Sequence, residues 1–352
     1  MFLIDQPRYL DFASTTPVDP RVLEAMMPYF SEIFGNASSS HVYGKTVKKA
    51  VDIARSQVAQ LINAEPKEIY FTSGSTESIN WALKGFAEAN VERGNHIITV
   101  STEHKAVLGV CNYLESQGYE VTYLPVDSNG LLSLEDLQNA FRDSTVLVCV
   151  MYVNNEIGVI QNIAKIGAIC RQQNVCFFTD ATQAVGKLPI NVVDENIDML
   201  ALSGHKFYGP KGVGALFVRR GIKISPLLHG GSQESELRGG TYNSPGIVGL
   251  GKACELAASE LENRMANALN KRQSIEISFK ERGYGELNFK EVKTSPYILS
   301  FRLFSDDSQD FLLKVKDELA VSTGSACSSG IVSESHVYKA LGLNNNIVRV
   351  SI

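Results

Sequence analysis

Lys206 closes the segment Ser203-Gly204-His205-Lys206, directly after the apolar run 197–202, and Asp180 ends an earlier apolar run, 175–179. A lysine amine can form a Schiff base, and a carboxylate can keep a pyridine nitrogen protonated so that the ring accepts electrons. Together they supply what pyridoxal phosphate requires of a protein. Both charged groups sit at the ends of runs that read as buried strands, where a charge without a partner is costly. A third feature is Phe71-Thr72-Ser73-Gly74-Ser75-Thr76-Glu77-Ser78, which passes from a strand into a helix start. Unpaired N–H groups and the helix dipole at such a point favour an anion such as phosphate. The plainer alternative is that Ser75 or Thr76 simply caps the helix, with Glu77 suited to its first turn.

Further residues gain meaning beside that pair. His104 follows the strand-like run 96–100 and is either a helix cap or a ring-stacking proton shuttle. Asn154-Asn155-Glu156-Ile157-Gly158 follows another buried run and reads otherwise as a turn. Cys327 lies in Ser322-Thr323-Gly324-Ser325-Ala326-Cys327-Ser328-Ser329-Gly330, a stretch of small and hydroxyl residues. A structural thiol prefers apolar neighbours, whereas a reactive one needs access and freedom, so this cysteine could carry sulfur from a pocket to a partner. The other five cysteines occupy apolar or helical contexts and read as inert thiols. Tyr43-Gly44-Lys45-Thr46 lacks the first glycine of a phosphate-binding loop, and Gly209 to Gly214 lacks the dinucleotide spacing.

The elements that must position these groups alternate. Strands are predicted at 69–72, 96–100, 120–125, 145–152, 175–179, 199–202 and 214–218, and helices at 46–62 and 75–88. Continuous apolar strands between helices imply a mostly parallel sheet covered on both faces, with the ligand at the strands' C-terminal ends. We read residues 16–250 as the large domain. Residues 1–15 and 251–352 read as a smaller α+β domain carrying the Cys327 loop, with a strand at 297–303, helices at 307–319 and 334–341, and a strand at 347–352.

Composition narrows the classes. The 352 residues are 44% hydrophobic and 20% charged, with a formal net charge of −5. That describes an ordinary globular protein and excludes direct nucleic-acid binding through a basic surface. No run approaches the ~20 apolar residues of a membrane span, and the first residues do not read as a signal peptide, so the expected location is cytoplasmic. Cysteine spacing offers no metal site.

With these residues in view, the chain resembles the cysteine desulfurases of the NifS/IscS branch, in the class V aminotransferase family of fold-type I pyridoxal phosphate enzymes. The matching stretches are 9–17, 34–36, 72–78, 102–107, 154–158, 180–183, 203–212 and 322–328. The cysteine segment is similar to the group with a long loop. The resemblance implies an α/β fold with a seven-stranded sheet, and it implies roles. Lys206 would bind the cofactor covalently, Asp180 would pair with the pyridine nitrogen, and Gln183 would approach the ring hydroxyl. His104 would stack on the ring, while Ser75, Thr76, Ser203 and His205 would hold the phosphate. Thr241 would supply a phosphate contact to the other subunit of a homodimer. Asn155 and Arg349 would hold the carboxylate of L-cysteine, which a planar guanidinium suits. Lys206 would then move the Cα proton, His104 would help deliver the thiolate, and Cys327 would take the sulfur as a persulfide, releasing alanine.

Two segments depart from the family pattern, 229–236 and 240–243. The sequence also stops at Ile352, short of the helix and tail with which housekeeping members dock the iron–sulfur scaffold protein. That leans the expected sulfur acceptor towards a specialised one, such as tRNA thiolation or DNA phosphorothioation, beside iron–sulfur assembly. Competing readings are an aminotransferase or selenocysteine lyase of the same fold, and a non-catalytic sulfur-relay scaffold.

Overall fold

The computed structural model describes residues 7–304, 307–323 and 335–352. The strands are β1 (Arg8–Tyr9), β2 (Ile69–Thr72), β3 (His96–Val100), β4 (Glu120–Leu124), β5 (Thr145–Cys149), β6 (Cys176–Asp180), β7 (Met199–Ser203), β8 (Gly214–Val218), β9 (Gly285–Leu287), β10 (Ile298–Leu303), β11 (Leu319–Ala320) and β12 (Ile347–Ser351). Seven of them form the main sheet in the order β2-β8-β7-β6-β5-β3-β4. The block from β7 to β4 is parallel, and β8 runs antiparallel to both β2 and β7. All seven predicted strands are present.

The central strands β3, β5, β6, β7 and β8 are buried at every position. Only a sheet covered on both faces can use unbroken apolar strands in this way. On one face lies a core that joins the helix Val42–Ile62 and the helix Ser244–Glu281. These two helices approach closely at Gly251, where an added Cβ would meet the Ala54 Cα at 2.6 Å. The other face is filled by Trp81, Phe86 and the buried residues of the helix Lys105–Ser116.

The predicted helix 75–88 is interrupted. It runs as an α-helix over Ser75–Asn80, widens to a π-turn over Trp81–Gly85, and resumes over Phe86–Ala89. The wide turn lets Trp81 point its indole N–H at the Ser225 carbonyl, 2.8 Å away, from a fully buried position. That bond satisfies the one polar atom of a large apolar side chain.

A second sheet, β12-β10-β9, has its own core, in which Phe279 and Phe301 stack at 4.2 Å. The N-terminal arm joins it: β1 pairs with β11, and Asp11 bridges to Ser351 of β12. The arm then continues towards the main sheet, where the Thr16 N–H and the Thr16 hydroxyl both donate to the His205 carbonyl. Among the described residues, no helix is long and apolar enough to cross a membrane, and no cluster of acidic, histidine and cysteine side chains could hold a metal ion.

Candidate active site

Asp180 is the last residue of β6, and Lys206 ends a short 3-10 turn directly after the adjacent β7. Register places Asp180 opposite Ala201, so both chemistry-bearing residues leave neighbouring parallel strands at the same, C-terminal edge of the sheet. There they line one cavity of about 240 Å³, together with His104, Gln183, Ser75, Thr76, Asn155, His205 and Arg349. The residues singled out from the sequence as one site are thus brought together. Three are placed otherwise. Ser203 ends β7 next to the cavity, with its hydroxyl close to Gly74. Thr241 is exposed and does not line the cavity of its own chain. Cys327 lies outside the described residues.

The Asp180 carboxylate is buried and is oriented from its own loop. Its Oδ1 accepts from the Thr182 backbone N–H at 3.0 Å and from the Thr182 hydroxyl, which leaves Oδ2 as the oxygen these two bonds do not use. Lys206 Nζ donates to two backbone carbonyls of the N-terminal arm, Ala13 O and Ser14 O, each at 2.8 Å. Sequence reasoning assigned neither residue a role, because a carbonyl contact leaves no mark on side-chain type.

His104 is a helix cap that also faces the cavity. It caps the helix Lys105–Ser116, its Nδ1 accepting from the Ala106 N–H at 3.1 Å, and it lines the cavity. An accepting Nδ1 assigns the ring proton to Nε2. Burial pulls the imidazole below its ordinary range, opposed by Asp180 and reinforced by Lys206 and His336. A neutral ring near neutral pH follows. His205 is lowered to about 4 by burial and by the charges of Lys206, Lys211 and Lys187, and its Nδ1 meets the Thr15 hydroxyl at 3.0 Å.

The anion-binding corner differs by one residue from the expected cap. The N-cap is Gly74, not Ser75, and it supplies no side-chain bond. Glu77 reaches back to the Ser73 N–H at 2.8 Å and is held by Arg238 Nε at 2.9 Å. With a glycine cap, the first helical N–H groups remain available to an anion. The corner is tight: a Cβ on Gly214 of β8 would sit 2.7 Å from the Gly74 Cα and 2.4 Å from the Leu202 carbonyl.

Arg349 of β12 is 3% exposed and is held by Asp11 Oδ1 at 2.6 Å, Ser14 Oγ at 2.9 Å and the Asn155 carbonyl at 2.9 Å. Asp11 is a functional partner that the sequence did not single out. Two further acids are next in sequence to lining residues, Glu103 to His104 and Glu156 to Asn155. Glu103 is fully buried, accepts from the Met151 N–H at 2.6 Å, and burial holds its carboxyl well above the usual range. Glu156 is also raised by burial and accepts from the Ser335 hydroxyl at 2.5 Å. Raised carboxyls stay protonated more readily, and among the residues that line the cavity Asp180 is the one that carries a carboxyl group.

The donor set fits pyridoxal phosphate: one amine for its aldehyde, one carboxylate for its ring nitrogen, a neutral imidazole, and an open helix N-terminus for its phosphate. The comparisons agree. The family Aminotransferase class-V matches residues 8–352. A cysteine desulfurase IscS of Methanosarcina thermophila is 49% identical over 346 residues, covering 98% of this chain and 85% of the relative. Two solved structures superpose on it: SspA in complex with cysteine, at TM-score 0.89 and 38% identity, covering 98% of each chain, and DndA from Streptomyces lividans, at TM-score 0.82 and 36% identity, covering 97% of this chain and 99% of that one. With a lysine and an aspartate at the C-terminal ends of adjacent parallel strands, and likeness along nearly its whole length, the chain belongs to the class-V aminotransferase family.

Proposed function

We propose that this chain is a pyridoxal phosphate-dependent cysteine desulfurase, which converts L-cysteine to L-alanine and leaves the sulfur as a persulfide on Cys327. The observation that carries the reading is the convergence of Lys206, Asp180, His104 and Arg349 on one cavity at the C-terminal edge of the sheet. The bound cofactor supplies the electron sink.

The protein's own groups do the rest. Arg349, fixed by Asp11, Ser14 and the Asn155 carbonyl, presents a guanidinium to the substrate carboxylate, and Asn155 lines the same end. Lys206, which would hold the cofactor, would carry the Cα proton. The neutral His104 can take the substrate thiol proton or return one. The Cys327 thiolate then attacks the substrate sulfur. A sulfur–sulfur bond forms, the carbon–sulfur bond breaks with its electron pair on carbon, and a proton completes alanine.

We place the enzyme in the cytoplasm, where the five described cysteines, all buried and free, would remain reduced. A sulfur-acceptor protein and a homodimer complete the proposal, in which Thr241 serves the partner's phosphate corner. We likewise assign residues 16–250 to a large domain and 1–15 with 251–352 to a small one.

A single-turnover reaction with L-cysteine tests the function. Alanine should appear in one equivalent per chain with a persulfide mapped to Cys327. Cys327→Ser should keep the bound cofactor and its spectral response to cysteine yet form no persulfide. Sulfur release at the unaltered rate in that variant would overturn the assignment of Cys327, and an amino-group transfer product would indicate an aminotransferase instead.

A further inference from the structure

Gln183 is gripped from both ends of its amide. Nε2 donates to the Ala13 carbonyl at 2.8 Å, and Oε1 accepts from Lys187 Nζ at 2.9 Å. Turning the amide over would set its oxygen against the Ala13 oxygen and its NH2 against an amine donor. The two neighbours therefore admit one orientation. The Ala13 carbonyl also accepts from Lys206, so Lys187, Gln183, Ala13 and Lys206 form one continuous chain of donors and acceptors beside the cavity.

Nothing in the reaction described above uses Lys187, and its location is expensive. It is 5% exposed, and the charges acting on it, Lys206 and Arg349, are both positive. Its aliphatic stem leads past the Tyr297 ring, with the amine 5.9 Å from the ring centre. A buried amine among like charges persists only where it does something for its acceptor.

We infer that Lys187 is a positioning residue for the cofactor: it locks the Gln183 amide so that one N–H serves Ala13 and the other is offered to the group bound in the cavity. The inference rests on the reading of that cavity as the pyridoxal phosphate site. Burial first, and then the charges of Lys206 and Arg349, bring the Lys187 amine down to about 7. The bond to Gln183 is thus charge-assisted below that pH and weaker above it. The groups facing the amine are Lys206 and His205 from the turn after β7, Arg349 from β12, Tyr297 from the approach to β10, and Gln183 from its own segment; His205, lowered to about 4, stays neutral across this range. Tyr297, pushed up to about 12 mainly by burial, stays neutral across this range.

The test measures pyridoxal phosphate affinity by equilibrium dialysis of the apoprotein between pH 6 and 8.5. Four proteins are compared: the unaltered chain, Lys187→Met, Gln183→Leu and the double variant. Each single substitution should weaken binding at pH 6.5 by roughly tenfold, the worth of one charge-assisted hydrogen bond. The double variant should be no weaker than either single one. The unaltered chain should lose affinity as pH rises through about 7, a step that both single variants lack. Losses that multiply in the double variant, or a Lys187→Met protein that binds like the unaltered chain, would overturn the inference. Should Lys187→Met fail to fold, the pH step decides: its disappearance in Gln183→Leu supports the role, and its persistence there refutes it. An unaltered chain that binds no pyridoxal phosphate would instead refute the site itself, along with everything built on it.

Discussion

Arg349 shows what single side chains contribute. Among the described residues, its planar fork is held by the Asp11 carboxylate at 2.6 Å, the Ser14 hydroxyl and the Asn155 carbonyl. Arg349→Lys keeps the charge but loses the fork and cannot reproduce the two-pronged grip on a carboxylate. One charge-assisted hydrogen bond is worth about 1.5–3 kcal/mol. The KM for L-cysteine should therefore rise about ten- to hundredfold, with kcat changed far less and the spectrum of the bound cofactor unaltered. Steady-state kinetics checks this, and an equal fall in kcat and kcat/KM would assign Arg349 to the transition state instead. At this scale the sequence was informative wherever chemistry resides in side-chain type: Lys206, Asp180, His104 and Arg349 could be singled out, and all line one cavity. It was silent on the Ala13 and Ser14 carbonyls, since any residue has one. Lys187 also went unnoticed. Its only signal was a cation inside the otherwise apolar stretch 184–190, and a spacing pattern does not distinguish a surface lysine from a buried one.

Elements carry the next level of control. The strand runs and the predicted helix at 46–62 matched closely because unbroken apolar runs and a 3.6-residue period are strong signals. The π-turn at Trp81–Gly85 and the cap at Gly74 were not legible, because both depend on what packs against the helix. The segment 233–236, where the sequence departs from the family pattern, is held by a different device. Glu234, Ser235 and Glu236 all adopt left-handed backbone, with φ of 48°, 58° and 68°. Each costs roughly 1–2 kcal/mol for a residue with a Cβ. The segment is secured by Glu234, which is buried, takes both Arg55 nitrogens at 2.8 and 2.7 Å, and accepts from the Phe71 N–H of the edge strand β2 at 2.9 Å. Arg55 in turn lies over the Phe71 ring, 4.6 Å from its centre. Glu234→Ala would leave a largely buried guanidinium without its counter-charge, with the Ile69 carbonyl as its remaining acceptor, and a strand N–H without its partner, and should cost about 3 kcal/mol or more. Chemical denaturation would show it, and a loss under 1 kcal/mol would mean that the pair is solvated in solution.

At the scale of the whole molecule, two features lead towards a second copy. Thr241 lies away from its own chain's cavity, and a surface around Phe30, Phe34 and Tyr43 leaves large rings 59%, 68% and 59% exposed. Exposed apolar area of this kind is a cost that association removes. Sedimentation should give twice the chain's mass, and Thr241→Ala should weaken pyridoxal phosphate binding by roughly tenfold, the worth of one phosphate hydrogen bond. A dimer whose cofactor affinity is indifferent to Thr241 would remove that residue from the site.

The arm that holds Lys206 has a consequence for how the enzyme comes into being. Ala13 is tied to Ser351, its N–H donating to the serine hydroxyl at 2.9 Å across a separation of 338 residues, and the Ser351 N–H returns a bond to Leu10 at 2.7 Å. The carbonyls bonded to Lys206 are therefore synthesised more than 330 residues ahead of the strand that anchors them. The main sheet can assemble on the ribosome well before that strand exists, but with its amine unsteadied and Arg349 not yet made. A nascent chain would thus pass through a folded but chemically silent stage, and sulfur could not be liberated from free cysteine by an unfinished molecule.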